Sequence, residues 1–299
     1  MKNRRAFIIG IKSTSLSKKE KFFLKKYKPW GVILFIRNIF RDKNYPILID
    51  QEGGRVNRLN KLIETSVLTA EYFGKLFKNK KKKFNYYYKI YISQISYLLN
   101  EIGININTGP VLDLRRSKSS NVIGDRSYSS LARNVSTIGD FAIREFNKGK
   151  IGTVIKHIPG HGLAKVDSHK KTPVVKKKAN YLYKNDFLPF KKKKTFFAMT
   201  AHVIYKDIDP INTATHSSKI IKLIRSKIGF KNIIISDDIS MRGLKHSIKV
   251  NVLRALSAGC NLILHCNANY VEMITVAKNS PVVDNFIIKK TSQFYNFLS

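Results

Sequence analysis

Acidic residues are scarce in this chain: 19 Asp and Glu stand against 56 Lys and Arg in 299 residues, a formal net charge of +37. Cysteine is scarcer still, with only Cys260 and Cys266, which flank an apolar strand-like run. Two cysteines exclude a disulfide scaffold, so buried free thiols in a reducing, cytoplasmic compartment are expected. No apolar run approaches the roughly 18 residues of a membrane-spanning helix. The stretch behind the basic start, residues 6–9, is interrupted at Gly10 and Lys12, too soon for a secretory signal. Linker-like clusters of Pro, Gly and Ser are missing, as are internal repeats, so 1–299 reads as one domain. Nor does the chain have the low hydrophobicity of a disordered one: 43% of its residues are hydrophobic and 11% aromatic, ample material for a core.

A large positive charge ordinarily points to nucleic acid or an anionic surface. Here the excess is mostly Lys, spread along the chain and densest at 80–83, 176–178 and 191–194, which read as solvated faces. Ile, Asn, Tyr and Phe are abundant beside Lys, and a genome rich in A and T produces that composition without any polyanion to bind. Neither a specific nucleic acid nor a membrane partner is expected, and the chain reads as a monomer. A basic barrel that holds anionic polymers is the alternative from a different functional class.

Eight short β-branched runs recur, at 6–11, 31–36, 46–50, 104–107, 152–156, 196–201, 232–236 and 261–265. Continuous apolar runs without alternation are the pattern of parallel strands buried on both faces. Helix-length amphipathic segments lie between most of them, at 17–27, 84–99, 132–148, 181–192, 218–228 and 246–258, and 284–298 reads as a terminal helix closing the barrel. This alternation predicts an α/β fold, a single-domain (β/α)8 barrel. One crossover helix is missing: residues 37–45 are too few for a right-handed parallel crossover. An extended link or an antiparallel strand satisfies that spacing equally.

Barrel sites form just past the C-terminal ends of the strands. At those points stand Asp50-Gln51-Glu52-Gly53-Gly54-Arg55, then Asp113, then Lys156-His157-Ile158-Pro159-Gly160-His161-Gly162 with Asp167-Ser168-His169 beyond, then His202, then Ser236-Asp237-Asp238. Asp50 and Glu52 suit an ion-pair network with Arg55 or Arg58, although the paired glycines favour a ligand pocket. His157 and His161 have zinc-helix spacing, but Pro159 and Gly160 break the helix, and no metal is expected. His202 is either a core histidine or a wall of the site. Adjacent strand residues point to opposite faces, so one of Asp237 and Asp238 faces the barrel axis while the other fixes the loop or pairs with Arg242. A divalent-metal pair is the competing reading of the two aspartates, although no GxxxxGK[ST] phosphate loop accompanies it.

These segments, with Gly124-Asp125-Arg126-Ser127-Tyr128, Ala201-His202-Val203-Ile204-Tyr205 and Ser236-Asp237-Asp238-Ile239-Ser240-Met241, resemble glycoside hydrolase family 3 in the same order. More narrowly they resemble its single-domain bacterial β-N-acetylhexosaminidases. The resemblance implies retaining exo-hydrolysis of terminal β-linked N-acetylglucosamine, from a muropeptide or disaccharide of cell-wall recycling, with no cofactor. It implies Asp237 as nucleophile, and His169 on a flexible loop with Asp167 as its dyad partner in place of the usual second carboxylic acid. Asp50, Arg58, Arg126, Lys156 and His157 then bind the sugar. A histidine suits the acid/base role because imidazole titrates near neutrality without the burial a carboxylic acid requires. A phosphorylase using the same residues is the nearest alternative, since a carboxylate acid would repel phosphate. Asp125 stands where the subfamily commonly has Glu. Gly160 and Gly162 are expected to keep the dyad loop pliable.

Overall fold

The computed structural model describes residues 2–13, 15–35, 45–117 and 121–299. In chain order the elements are β1 (Arg5–Gly10), α1 (Lys18–Tyr27), β2 (Pro29–Leu34), β3 (Ile47–Ile49), α2 (Ala70–Asn79), α3 (Lys81–Glu101), β4 (Ile106–Asn107) and α4 (Ala132–Lys148). They continue with β5 (Gly152–Ile158), β6 (Val174–Val175), α5 (Ala179–Lys184), β7 (Phe197–Thr200), β8 (Ile204–Tyr205), α6 (Ser218–Leu223), β9 (Ile233–Asp238), α7 (Ile248–Ala258), β10 (Leu262–His265), α8 (Tyr270–Asn279) and α9 (Asn285–Leu298). Strands β1, β2, β3, β4, β5, β7, β9 and β10 close into a barrel, and β6 and β8 form a separate two-stranded sheet.

Every barrel pairing is parallel, as the unalternating sequence runs require. Parallel pairing of β2 with β3, Val32 opposite Ile47, decides against the antiparallel alternative. The expected lack of a helix between these strands falls on residues 36–44, outside those described.

Side chains on a strand alternate between faces, and the alternation divides the core in two. Ala6 and Ile8 of β1, Ile33, Leu48, Ile106, Val154, Phe197, Ile233 and Leu262 pack inside the barrel. Phe7 and Ile9, Val32, Ile47, Ile49, Ile155 and Ile234 join the larger core between strands and helices. Helix α9 plugs the lower end: Phe294 meets Phe197 edge to face at 5.2 Å, and Trp30 Nε1 donates to Thr291 Oγ1 at 2.9 Å. The helix starts where Asp284 accepts the Ile287 N–H, an N-cap bond that satisfies one of the unpaired donors of the first turn.

Several helices depart from expectation. α2 and α8 were not anticipated. The 181–192 helix is replaced by the short α5 and a 3-10 turn at Leu188–Phe190, because Pro189 cannot extend an α-helix from its interior. The 218–228 helix is present, but its last turn, Ile224–Ile228, widens to π geometry before Gly229 ends it in the left-handed region.

Candidate active site

β3, β5 and β9 bring the charged residues together at the C-terminal end of the barrel. Lys156, near the C-terminal end of β5 and almost fully buried, places Nζ 2.8 Å from Asp50 Oδ1 and 2.6 Å from Glu52 Oε1. Arg126 clamps Glu52 with two donors, Nε to Oε2 at 2.7 Å and Nη2 to Oε1 at 2.8 Å, the geometry in which a guanidinium binds a carboxylate best. Asp50 also accepts from the Thr108 hydroxyl, and Arg58 approaches its other oxygen at 3.8 Å. Burial by itself would raise both carboxylates; Lys156 beside Asp50, and Arg126 with Lys156 beside Glu52, outweigh it and hold both below the usual range. Of the two expected partners, Arg58 makes the long pair with Asp50 while Arg55 binds Asp125 at 2.9 Å.

Asp113 is fully buried and organises the loop after β5. Its Oδ2 accepts from His157 Nδ1 at 2.6 Å, and its Oδ1 from the His161 N–H at 2.5 Å. Because an ionised carboxylate only accepts, the His157 proton sits on Nδ1 and leaves Nε2 for a ligand. Burial works against this ion, but His157 and the His161 N–H keep Asp113 low. Sequence reading placed Asp113 at a strand end without giving it a role.

Asp237 and Asp238 end β9, and both reach the cavity. Asp238 is occupied by the Ser240 N–H and hydroxyl and by the Cys266 N–H, so it fixes the loop and does not use Arg242 to do so. Asp237 accepts the Asp238 N–H at 2.8 Å. Burial would raise it; His202, His157, that N–H and Lys156 keep it below the usual range, and therefore ionised. His202 is a core histidine behind the wall: its ring bonds Thr215 Oγ1 at 2.7 Å and the Asp238 carbonyl at 3.0 Å.

His169 is the exposed member of the group, its side chain 66% accessible, and its Nδ1 bonds Asp167 Oδ1 at 2.8 Å. The same oxygen accepts the His169 N–H, so Asp167 fixes both backbone and ring. Partial burial would raise Asp167, but these two donors hold it low.

A cavity of about 280 Å³ is lined by Asp50, Arg58, Arg126, Lys156, His157, His169 and Asp237, with Met199, Met241, Leu264 and Cys266 as apolar wall. Seven of the eight residues expected at the site thus share one space, and Asp167 stands behind His169. Gly160 and Gly162 lie in close contact with neighbouring backbone. A Cβ on Gly160 would meet the Asp186 carbonyl at 2.7 Å, and one on Gly162 would meet the Leu114 carbonyl oxygen, so both glycines permit close backbone packing. No cluster of three or more metal-ligating side chains occurs among the described residues, and no helix there is long and apolar enough to cross a membrane.

The sequence and the architecture have counterparts in known proteins. The β-hexosaminidase of Haemophilus ducreyi is 32% identical over 286 residues, covering 87% of this chain and 80% of that protein. The β-hexosaminidase of Thioalkalivibrio sulfidiphilus is 30% identical over 283 residues, with the same coverage of 87% and 80%. Among solved structures, NagZ from Neisseria gonorrhoeae in complex with N-trifluoroacetyl-D-glucosamine superimposes with a TM-score of 0.86 at 25% identity, covering 99% of this chain and 90% of that one. The model of the glycosyl hydrolase family 3 N-terminal domain matches residues 40–293, and on these likenesses the chain belongs to glycosyl hydrolase family 3.

Proposed function

We propose that the whole chain is a single catalytic barrel that removes terminal β-linked N-acetylglucosamine with retention of configuration. The carrying observation is that Asp237, ionised although buried, and His169, whose ring proton Asp167 fixes on Nδ1, open into one cavity beside Asp50, Lys156 and His157. In the first step the Asp237 carboxylate bonds to the anomeric carbon as the aglycone bond breaks, and the departing oxygen takes the Nε2 proton of His169. In the second, His169 Nε2 removes a proton from water, the water oxygen bonds to the anomeric carbon, and the ester to Asp237 breaks. Asp167 stabilises the imidazolium in both steps. The carboxylate spacing that separates retaining from inverting enzymes does not apply where one partner is imidazole. Asp50 is placed to bridge vicinal hydroxyls of the sugar by charge-assisted hydrogen bonds, with Arg58, Arg126, Lys156 and His157 around the ring.

Muropeptides released during cell-wall recycling in the cytoplasm fit this reading as natural substrates, in keeping with the β-hexosaminidase relatives. The test is release of p-nitrophenol from its β-N-acetylglucosaminide, with and without phosphate. Turnover by the wild type, loss of at least 10³-fold in Asp237→Ala, and indifference to phosphate are expected. No wild-type turnover, or full turnover by Asp237→Ala, refutes hydrolysis at this site, and a sugar 1-phosphate product would make the enzyme a phosphorylase.

A further inference from the structure

Between the half-buried Asp167 and the exposed His169 lies Ser168, only 2% exposed. Its Oγ is 3.1 Å from Nε2 of His161, itself 2% exposed, and its carbonyl accepts the Gly243 N–H at 2.8 Å. At the far end of the same loop Thr172 Oγ1 donates to the Gly243 carbonyl at 2.8 Å. Gly243 has to be glycine for this approach, because a Cβ there would stand 2.5 Å from the Ser168 carbonyl oxygen. The loop is therefore seated twice on the turn that follows Asp237, and once on the histidine whose backbone N–H is held by Asp113.

Ser168 is the hydrogen-bond partner of the His161 ring, which also packs edge to face on His157 at 5.6 Å. Its Nδ1 is buried with no hydrogen-bond partner. A buried acceptor without a partner is cheaper than a buried N–H without one, so the proton sits on Nε2 and points at Ser168 Oγ. Burial, helped by the neighbouring His157, pushes His161 down to about 4. The ring is then neutral at physiological pH, a hydrogen-bond donor and not itself a source of protons for the reaction. Two histidines thus have separate tasks, one in solvent and one under the loop.

We propose that Ser168, seated on His161, pins the loop that carries Asp167 and His169, and that His161 is thereby a positioning residue for the acid/base. The inference rests on the role given to His169 above. It explains how a side chain so exposed acquires a defined aim: the flanking residue is locked to the two loops that hold His157 and Asp237.

The test compares Ser168→Ala, His161→Phe and His161→Gln, the glutamine Nε2 standing where the imidazole Nε2 stood. In the uncomplexed enzyme, hydrogen exchange at 167–172 is expected to speed up in Ser168→Ala and to stay near wild type in His161→Gln. For activity, kcat/KM is measured on two β-N-acetylglucosaminides, one with an alkyl leaving group that requires protonation and one with dinitrophenyl, which does not. Ser168→Ala should lose about ten- to a hundredfold on the alkyl glycoside, the range in which a misplaced catalytic group costs rate, and less than threefold on the aryl one; His161→Phe, which cannot donate, should show the same split, and His161→Gln should rescue it, whereas full alkyl activity in His161→Phe overturns the role of His161. Unchanged exchange in Ser168→Ala overturns the pin. Equal losses on both glycosides overturn the positioning role, because general damage to the barrel ignores the leaving group. If the wild type cleaves neither glycoside, the hydrolase reading fails and the exchange comparison still decides whether Ser168 holds the loop.

Discussion

Replacing Lys156 with Met keeps the aliphatic stem and most of the volume but removes the charge that lies 2.8 Å from Asp50 and 2.6 Å from Glu52. Glu52 retains both Arg126 bonds. Asp50 keeps only the Thr108 hydroxyl and Arg58 at 3.8 Å, so it becomes the uncompensated ion. Breaking a buried pair from one side costs about 3–5 kcal/mol. The Asp50 side chain is 20% exposed, which favours the lower end, about 3 kcal/mol. At roughly 2 °C per kcal/mol for a large domain, the melting temperature should fall by roughly 6 °C at neutral pH. The pH dependence carries a sign. In the wild type the folded pKa of Asp50 lies below its ordinary value, so its contribution is present above the unfolded pKa and is lost as pH falls through the folded one. Without Lys156, burial dominates and the pKa rises, so Asp50 destabilises the variant at neutral pH and protonation relieves it. The gap between the two proteins should therefore close as pH falls from neutrality toward about 4. Urea unfolding at both pH values measures it, and the double variant with Asp50→Asn should recover about 2 kcal/mol relative to additivity. A variant within about 1 kcal/mol of wild type, a gap indifferent to pH, or an additive double variant would refute the claim that this lysine neutralises Asp50.

Two other substitutions test separate parts of the molecule. Asp113→Asn turns an amide NH₂ toward a backbone N–H or the His157 ring, and should cost about 2–3 kcal/mol and lower kcat/KM by at least about tenfold; equal denaturant midpoints and unaltered kinetics would count against the hub. Phe294→Ala empties the space beside Phe197 and Phe196 at the barrel floor and should cost about 3–5 kcal/mol. Trp30, the single tryptophan, reports the change by fluorescence, and an unshifted emission with an unchanged unfolding midpoint would contradict the plugging role of α9.

What the sequence revealed followed from the distance over which each signal operates. All eight barrel strands were legible because strands buried on both faces write continuous β-branched runs. α2 was not, since Gly74 weakens its helical pattern; the glycine is there because a Cβ would collide with the Tyr128 carbonyl, a contact invisible in a local window. Asp237 could be nominated from its strand end alone, whereas His169, in a loop without periodicity, depended on family resemblance. Least legible was which charge neutralises which. Arg55, Arg58 and Arg126 are equivalent cations to a reader of the chain, but their partners are set by the closure of the barrel, which brings Arg126 onto Glu52 across 74 residues. Once Arg126 is clamped and Arg55 is drawn off to Asp125, Arg58 remains at the cavity with one long ion pair to Asp50, its guanidinium 5.4 Å over the Phe35 ring and its buried Nε without a hydrogen-bond partner. No carboxylate holds that guanidinium in a close bidentate pair, so under the proposed function it is Arg58, of the three arginines, that is placed to donate to a sugar hydroxyl.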